Sequence, residues 1–108
     1  VGHNVSLYNY GNNKIKNGIV AVIAGGGNDI EMLEEIAKAG VNTFVTGITV
    51  KNDHSRKAHE FAEKYKINIL GGTHYSTEIF ACIKMCEYFK KIGLPSKFIK
   101  DKPVMEDM

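Results

Sequence analysis

Three short apolar runs alternate with stretches of helical periodicity, and this alternation constrains the chain more than any other feature. Gly18-Ile19-Val20-Ala21-Val22-Ile23-Ala24 is a continuous β-branched run bounded by glycine, the pattern of a strand buried on both faces of a parallel sheet. Val41 to Thr46 and Ile67 to Leu70 read as two further strands. Between them, Asn28 followed by Glu31 has the spacing of a helix cap with a reciprocal acid, and Ile30, Leu33, Ile36 and Ala37 fall on one stripe, which predicts a helix from about residue 28 to Gly40. Asp53 is placed to cap a second helix, in which Ala58, Phe61, Ala62 and Tyr65 repeat at helical spacing. After Gly71-Gly72-Thr73 a long helix is expected from about 76 to 92, with Ile79, Cys82, Ile83, Cys86 and Phe89 on its apolar stripe and Gly93-Leu94-Pro95 ending it. Lys97 to Lys100 is a candidate last strand.

Strand followed by helix followed by strand makes βαβ units. The expected fold is therefore α/β, with a mainly parallel sheet of three to four strands and ligands bound beyond the carboxyl ends of those strands. The 108 residues suffice for one small domain, assigned to residues 18–108. Residues 1–17, rich in Asn and Gly with Tyr8 and Tyr10 interspersed, read as an irregular segment leading into it. The start Val1-Gly2-His3-Asn4 lacks an initiator methionine, so the chain reads as part of a longer protein.

Composition excludes several classes of function. Fourteen Lys and Arg against twelve Asp and Glu give a net charge of +2, too little to mark a dedicated nucleic-acid or anionic-membrane surface. The two cysteines, Cys82 and Cys86, share one helix face as small hydrophobes and form no disulfide framework, which suits a reducing, cytoplasmic setting. No apolar run approaches the roughly 18 residues of a membrane span. The long helix carries Phe80, Met85 and Tyr88 off its main stripe, more apolar surface than one sheet face covers, so self-association is expected.

Two motifs fall at the carboxyl ends of the expected strands. Gly25-Gly26-Gly27, between a strand and a capped helix, offers backbone N–H groups to a phosphate; it lacks both the Lys-Ser/Thr of a nucleotide P-loop and G-x-G-x-x-G spacing, and a plain tight turn is the favoured explanation. His74 and Glu78 lie four apart at the start of the long helix, so both side chains can point from one face toward the mouth of the sheet. An imidazole and a carboxylate suit zinc, iron or manganese, although a surface His–Glu pair has the same spacing and two ligands do not complete a site. His59 is a candidate outer-sphere or substrate contact, with a solvated helix histidine as the alternative, and His54 beside Asp53 reads as solvated. Asn12-Asn13-Lys14-Ile15-Lys16 offers phosphate contacts or merely solubility.

Read in order, Ile19 to Gly27, then Thr46-Gly47, then Gly72-Thr73-His74-Tyr75-Ser76-Thr77-Glu78, resemble the C-terminal portion of the Nif-three-like dinuclear-metal-centre proteins, often labelled GTP cyclohydrolase 1 type 2. The likeness extends from residue 18 to Lys97-Phe98-Ile99-Lys100-Asp101. It implies that His74 and Glu78 ligate two divalent ions of zinc, iron or manganese. The remaining ligands, two adjacent histidines and an aspartate, come from an N-terminal half that these residues lack, of which residues 1–17 would be a remnant. It also implies a homo-oligomer, a hexamer in that family, and either a metal-dependent hydrolase acting on a nucleotide-like substrate or a non-enzymatic protein that binds metal, DNA or protein partners. No catalytic residue beyond the ligands is assigned. Ile48 stands where many members carry an acid after Thr-Gly, a departure that argues against a metal or substrate contact from that turn.

Overall fold

A computed structural model describes all residues 1–108. Four strands form one sheet: β1 (Ser6–Tyr8), β2 (Ala21–Ile23), β3 (Thr43–Thr46) and β4 (Asn68–Gly71), in spatial order β1-β4-β3-β2. The pairs β2–β3 and β3–β4 are parallel, and β1 runs antiparallel to β4. The helices are α1 (Ile30–Lys38), α2 (Arg56–Tyr65) and α3 (His74–Lys91), with short 3-10 turns at Lys16–Gly18 and Met105–Asp107. The expected α/β class and mainly parallel sheet are therefore found.

The register sorts the strand residues onto two faces. Tyr8, Ile69, Phe44 and Ala21 form one cross-strand row, and Leu7, Leu70, Val45 and Val22 form the next. Successive side chains on a strand point to opposite faces, so the two rows look in opposite directions. Helices α1 and α2 cover the first row: Leu33, Ile36, Ala58 and Ala62 join Phe44, Ile69, Ile67 and Val41 in a single buried core. The small side chains of Ala58 and Ala62 let α2 approach closely. Each helix starts for a local reason. Asp29 caps α1 by accepting the Met32 N–H at 3.0 Å, and Thr73 caps α3 by accepting the Ser76 N–H at 3.1 Å. A left-handed Lys66 ends α2, and its N–H bonds to the Ala62 carbonyl.

Several expectations are corrected. The first strand is shorter, Ala21–Ile23, and Val22 is 69% exposed, because β2 lies at the sheet edge with a neighbour on one side only and no helix on its outer face. The residue that caps α1 is Asp29, one position after Asn28. Asp53 caps nothing: the Asn52 side chain accepts from the His54 and Ser55 amides, and α2 begins after Ser55. Helix α3 starts at His74 rather than about 76, since Thr73 fixes its first turn. Residues 97–100 form no strand, because the sheet ends at β1 and β2 and this segment does not pair with either edge. The stripe predicted on α3 is not buried: Ser76 is that helix's one buried residue, while Ile83 and Phe89 are 37% and 38% exposed. No α1-like partner packs against it.

Residues 1–17 are not wholly irregular, since β1 takes one edge of the sheet. Buried Asn68 ties down the stretch that follows: its Oδ1 accepts from the Gly11 and Asn13 amides at 2.7 and 3.2 Å, and its Nδ2 donates to the Lys14 carbonyl at 3.2 Å. Asn12, Asn13 and Asn17 have φ of 57°, 56° and 57°. Asparagine tolerates this left-handed region better than most residues, so the Asn-rich composition is that of tight turns.

Phe44→Ala should cost about 3–5 kcal/mol in urea unfolding, whereas Val22→Ala should change stability by no more than about 0.5 kcal/mol. A large loss at Val22 would contradict its edge position.

Candidate metal centre

The glycine turn after β2, the turn after β3 and the first turn of α3 meet at the backbone of Gly25. Its N–H donates to Thr77 Oγ1 at 2.8 Å, and its carbonyl accepts from the Gly47 and Ile48 amides, both at 2.9 Å. Gly25 has φ +72°, and a Cβ there would run into the Glu78 carboxylate and lie 3.0 Å from His74 Nε2. Glycine is thus required twice over, for its backbone conformation and for the space it leaves. Gly47 is similarly constrained, because a Cβ would stand 2.5 Å from the Gly25 carbonyl oxygen and 2.7 Å from Thr77 Oγ1.

Above Gly25, His74 Nε2 and Glu78 Oε2 approach to 3.1 Å with both side chains about half exposed. One α-helical turn separates them, and the Thr73 cap fixes where that turn begins. Asp107, in the C-terminal 3-10 turn, accepts the His74 N–H on Oδ2 at 3.0 Å, and its carbonyl accepts the Thr49 and Val50 amides. A carboxylate at a helix start interacts favourably with the positive dipole end, so Asp107 joins the β3–α2 loop to the turn that carries His74. Neither Asp107 nor Thr77 was legible as a contributor in the sequence. Thr77 follows the Thr73 cap by four residues, and Asp107 lies at a distance no local pattern can span.

No group of three or more His, Cys, Asp or Glu side chains converges on a metal position. His74 and Glu78 thus form a two-donor pair, with Gly25 beneath them. The other glycines serve differently. Gly27 packs against Ile23, and its N–H donates to Thr46 Oγ1 at 3.2 Å, while Gly26 is exposed and walls a cleft with Asn28, Ile48 and His54. With the Gly25 and Gly27 amides both engaged, and the Asp29 carboxylate capping the following helix, the turn presents a packing surface more than a set of free donors.

His59 lies apart from the pair and is buried rather than solvated, at 5% exposure. Its Nε2 is 2.8 Å from the Thr49 carbonyl oxygen and its Nδ1 is 3.0 Å from Tyr10 Oη. Since a carbonyl only accepts, Nε2 carries the hydrogen, and Nδ1 accepts from the Tyr10 hydroxyl. The Tyr8 ring, edge-on at 4.6 Å, and the Asn28 side-chain amide, 3.3 Å from Nε2, also surround it. Burial holds this imidazole below the ordinary histidine range; the Thr49 carbonyl opposes that shift, and the nearby Lys51 ammonium adds to it. His59 reaches His74 only through the backbone, by way of Thr49 and Asp107. His54 is exposed.

The model of the Duf34/NIF3 (NGG1p interacting factor 3) family matches residues 2–103, and the chain belongs to this family. It is 36% identical over 81 residues to a GTP cyclohydrolase 1 type 2 homolog of Borreliella burgdorferi, an overlap of 74% of this chain and 30% of that protein. Among solved structures it is similar to reduced HcgD from Methanocaldococcus jannaschii, with a TM-score of 0.63 and 20% identity over 82% of this chain and 33% of that one. It is also similar to Staphylococcus aureus protein SA1388, with a TM-score of 0.61 and 25% identity over 94% of this chain and 33% of that one. The chain therefore spans about a third of the length of these relatives. No helix is long and apolar enough to cross a membrane.

Gly25→Ala should cost about 1–3 kcal/mol through its backbone conformation alone and should also displace Glu78. Gly26→Ala, whose Cβ would meet only Ile48 Cδ1 at 3.7 Å, should be near neutral by the same thermal melts. A second expectation follows from His59. Because its folded pKa is depressed, the unfolded chain binds the extra proton first, so His59 costs no stability well above the unfolded value of 6.5. Stability is lost as pH falls through 6.5 and levels off below the folded pKa. His59→Gln should flatten that acid-side decline in urea midpoints measured between pH 7.5 and 5, and an unchanged slope would contradict the buried neutral assignment.

Proposed function

We propose that this chain supplies half of a dinuclear divalent-metal centre, with His74 Nε2 and the Glu78 carboxylate as ligands, in a metal-dependent hydrolase acting on a nucleotide-like substrate. The observation that carries this reading is the space above Gly25: a side chain there would occupy the position where the imidazole and the carboxylate converge. A neutral imidazole and a carboxylate form a donor set suited to zinc, iron or manganese. The name of the Borreliella burgdorferi relative, a GTP cyclohydrolase 1 type 2 homolog, supports the hydrolase and the nucleotide-like substrate. Bound in pairs, such ions acidify water and polarise the bond under attack.

The chain's own residues hold and orient the donors. Thr73 sets the start of α3, Asp107 fixes the His74 amide, and Thr77 locks the helix to the glycine turn. The other ligands come from outside these residues, and His59 acts at a distance by steadying the loop at Thr49. A homo-oligomer is the second part of the reading. It is supported by the exposed apolar side chains of α3, among them Phe80 at 60%, Met85 at 54% and Tyr88 at 59%, which no other helix or strand of the chain covers.

In zinc titrations of the complete protein followed by calorimetry, His74→Ala and Glu78→Gln should each weaken binding by more than the roughly 10–100-fold typical of losing an outer-sphere partner. On the 108-residue chain alone, elemental analysis after dialysis should find no tightly held pair of ions. Unchanged affinity in both variants, or two ions retained by the chain alone, would overturn the half-site reading.

A further inference from the structure

The first turn of α3 carries a second constellation on another face. At about 100° per residue, Ser76 points roughly 200° away from His74, and it is buried at 4% exposure. Its Oγ lies 2.6 Å from His3 Nε2, and His3 Nδ1 lies 2.6 Å from the Asn4 carbonyl oxygen. That carbonyl can only accept, so Nδ1 holds the hydrogen and Nε2 presents its lone pair. The Ser76 hydroxyl must then donate to Nε2. Thr73 Oγ1 in turn donates to Ser76 Oγ at 3.0 Å, which fixes the rotamer of the serine. A hydroxyl, a base within hydrogen-bond reach of it, and an acceptor that sets the tautomer of that base make up the arrangement of an activated serine nucleophile.

The surroundings suit a substrate. Ser76 and His3 wall a cleft of about 460 Å³ whose apolar part includes Ile79, Ile83 and Phe98, with Lys100 and Asp101 also in its lining. This volume falls within the range of small-molecule clefts. Ser76 also sits at the start of an 18-residue helix, whose positive dipole end favours negative charge developing nearby. The two constellations share α3 and its Thr73 cap, but the reacting pair His3 and Ser76 is distinct from His74 and Glu78, so this one stands independently of the metal reading.

We infer that Ser76, with His3 as its base, is a nucleophile toward esters of short apolar carboxylic acids. Ser76 Oγ adds to the carbonyl carbon as the carbonyl electron pair moves onto oxygen, and the hydroxyl hydrogen passes to His3 Nε2. Collapse of the adduct breaks the bond to the alcohol oxygen, which departs with the proton from His3 and leaves an acyl-serine. Water then adds to that acyl group, giving its proton to His3. The acid is released as the proton returns to Ser76.

A hydrogen bond that merely tethers the N-terminal segment to α3 would leave the serine inert, and covalent labelling separates the two cases. The full chain is incubated with an alkyl fluorophosphonate in the presence of a chelator, and the adduct is mapped by peptide mass spectrometry. One phosphonyl group on Ser76 is expected, together with hydrolysis of p-nitrophenyl butyrate above background. Both should fall about 10²–10⁴-fold in His3→Gln, with the thermal midpoint of that variant recorded alongside. Absence of an adduct on the wild-type chain, an adduct on another residue, or equal labelling in a folded His3→Gln would each overturn the proposal. The wild-type map is decisive even where a variant fails to fold.

Discussion

Three separate turns close on the backbone of one residue, Gly25, and the placement of His74 and Glu78 depends on that closure. Its amide is bound to α3 through Thr77, and its carbonyl to the turn after β3 through Gly47 and Ile48. The parallel order of β2, β3 and β4 makes this possible, since it brings the carboxyl ends of all three strands to the same edge of the sheet. Without a side chain at Gly25, the start of α3 can come close enough for His74 and Glu78 to overhang the turn.

The same arrangement leaves the chain uneven. One sheet face is sealed by α1 and α2 around Phe44 and Ile69, whereas the Leu7–Leu70–Val45–Val22 row faces the other way, with Val22 and Leu7 still 69% and 49% exposed. Parallel sheets are normally covered on both faces. Helix α3, the longest element, leaves the sheet edge and buries only its first turn, so its apolar side chains point into solvent. The similar proteins of its family are about three times as long as this chain.

Around the site, polar side chains do the joining. Asp107 brings the C-terminal turn onto α3, His59 ties Tyr10 and Thr49 together, and Asn68 holds the loop of residues 11–14 over the open face. Each link joins segments far apart in sequence. Burial of His59 and Asn68 is possible because their ring nitrogens and amide atoms find partners, as buried polar groups must.

The sequence by itself determined the α/β alternation, the stripes of α1 and α2, the glycine turn, and the i,i+4 placement of His74 and Glu78, because each depends on a local period or a local cap. It also carried the family resemblance, which rests on the same motifs. It misjudged what depends on neighbours. The run at Gly18 to Ala24 reads as a doubly buried strand by composition, yet its edge position exposes Val22, and the stripe on α3 reads as buried although no helix or strand covers it. Only the tertiary structure decided that β1 joins the sheet, that His59 is buried against Tyr8 and Tyr10, that Asp107 binds the His74 amide, and that His3 meets Ser76. These contacts span tens of residues, and no periodicity encodes which distant backbone group will satisfy a given donor.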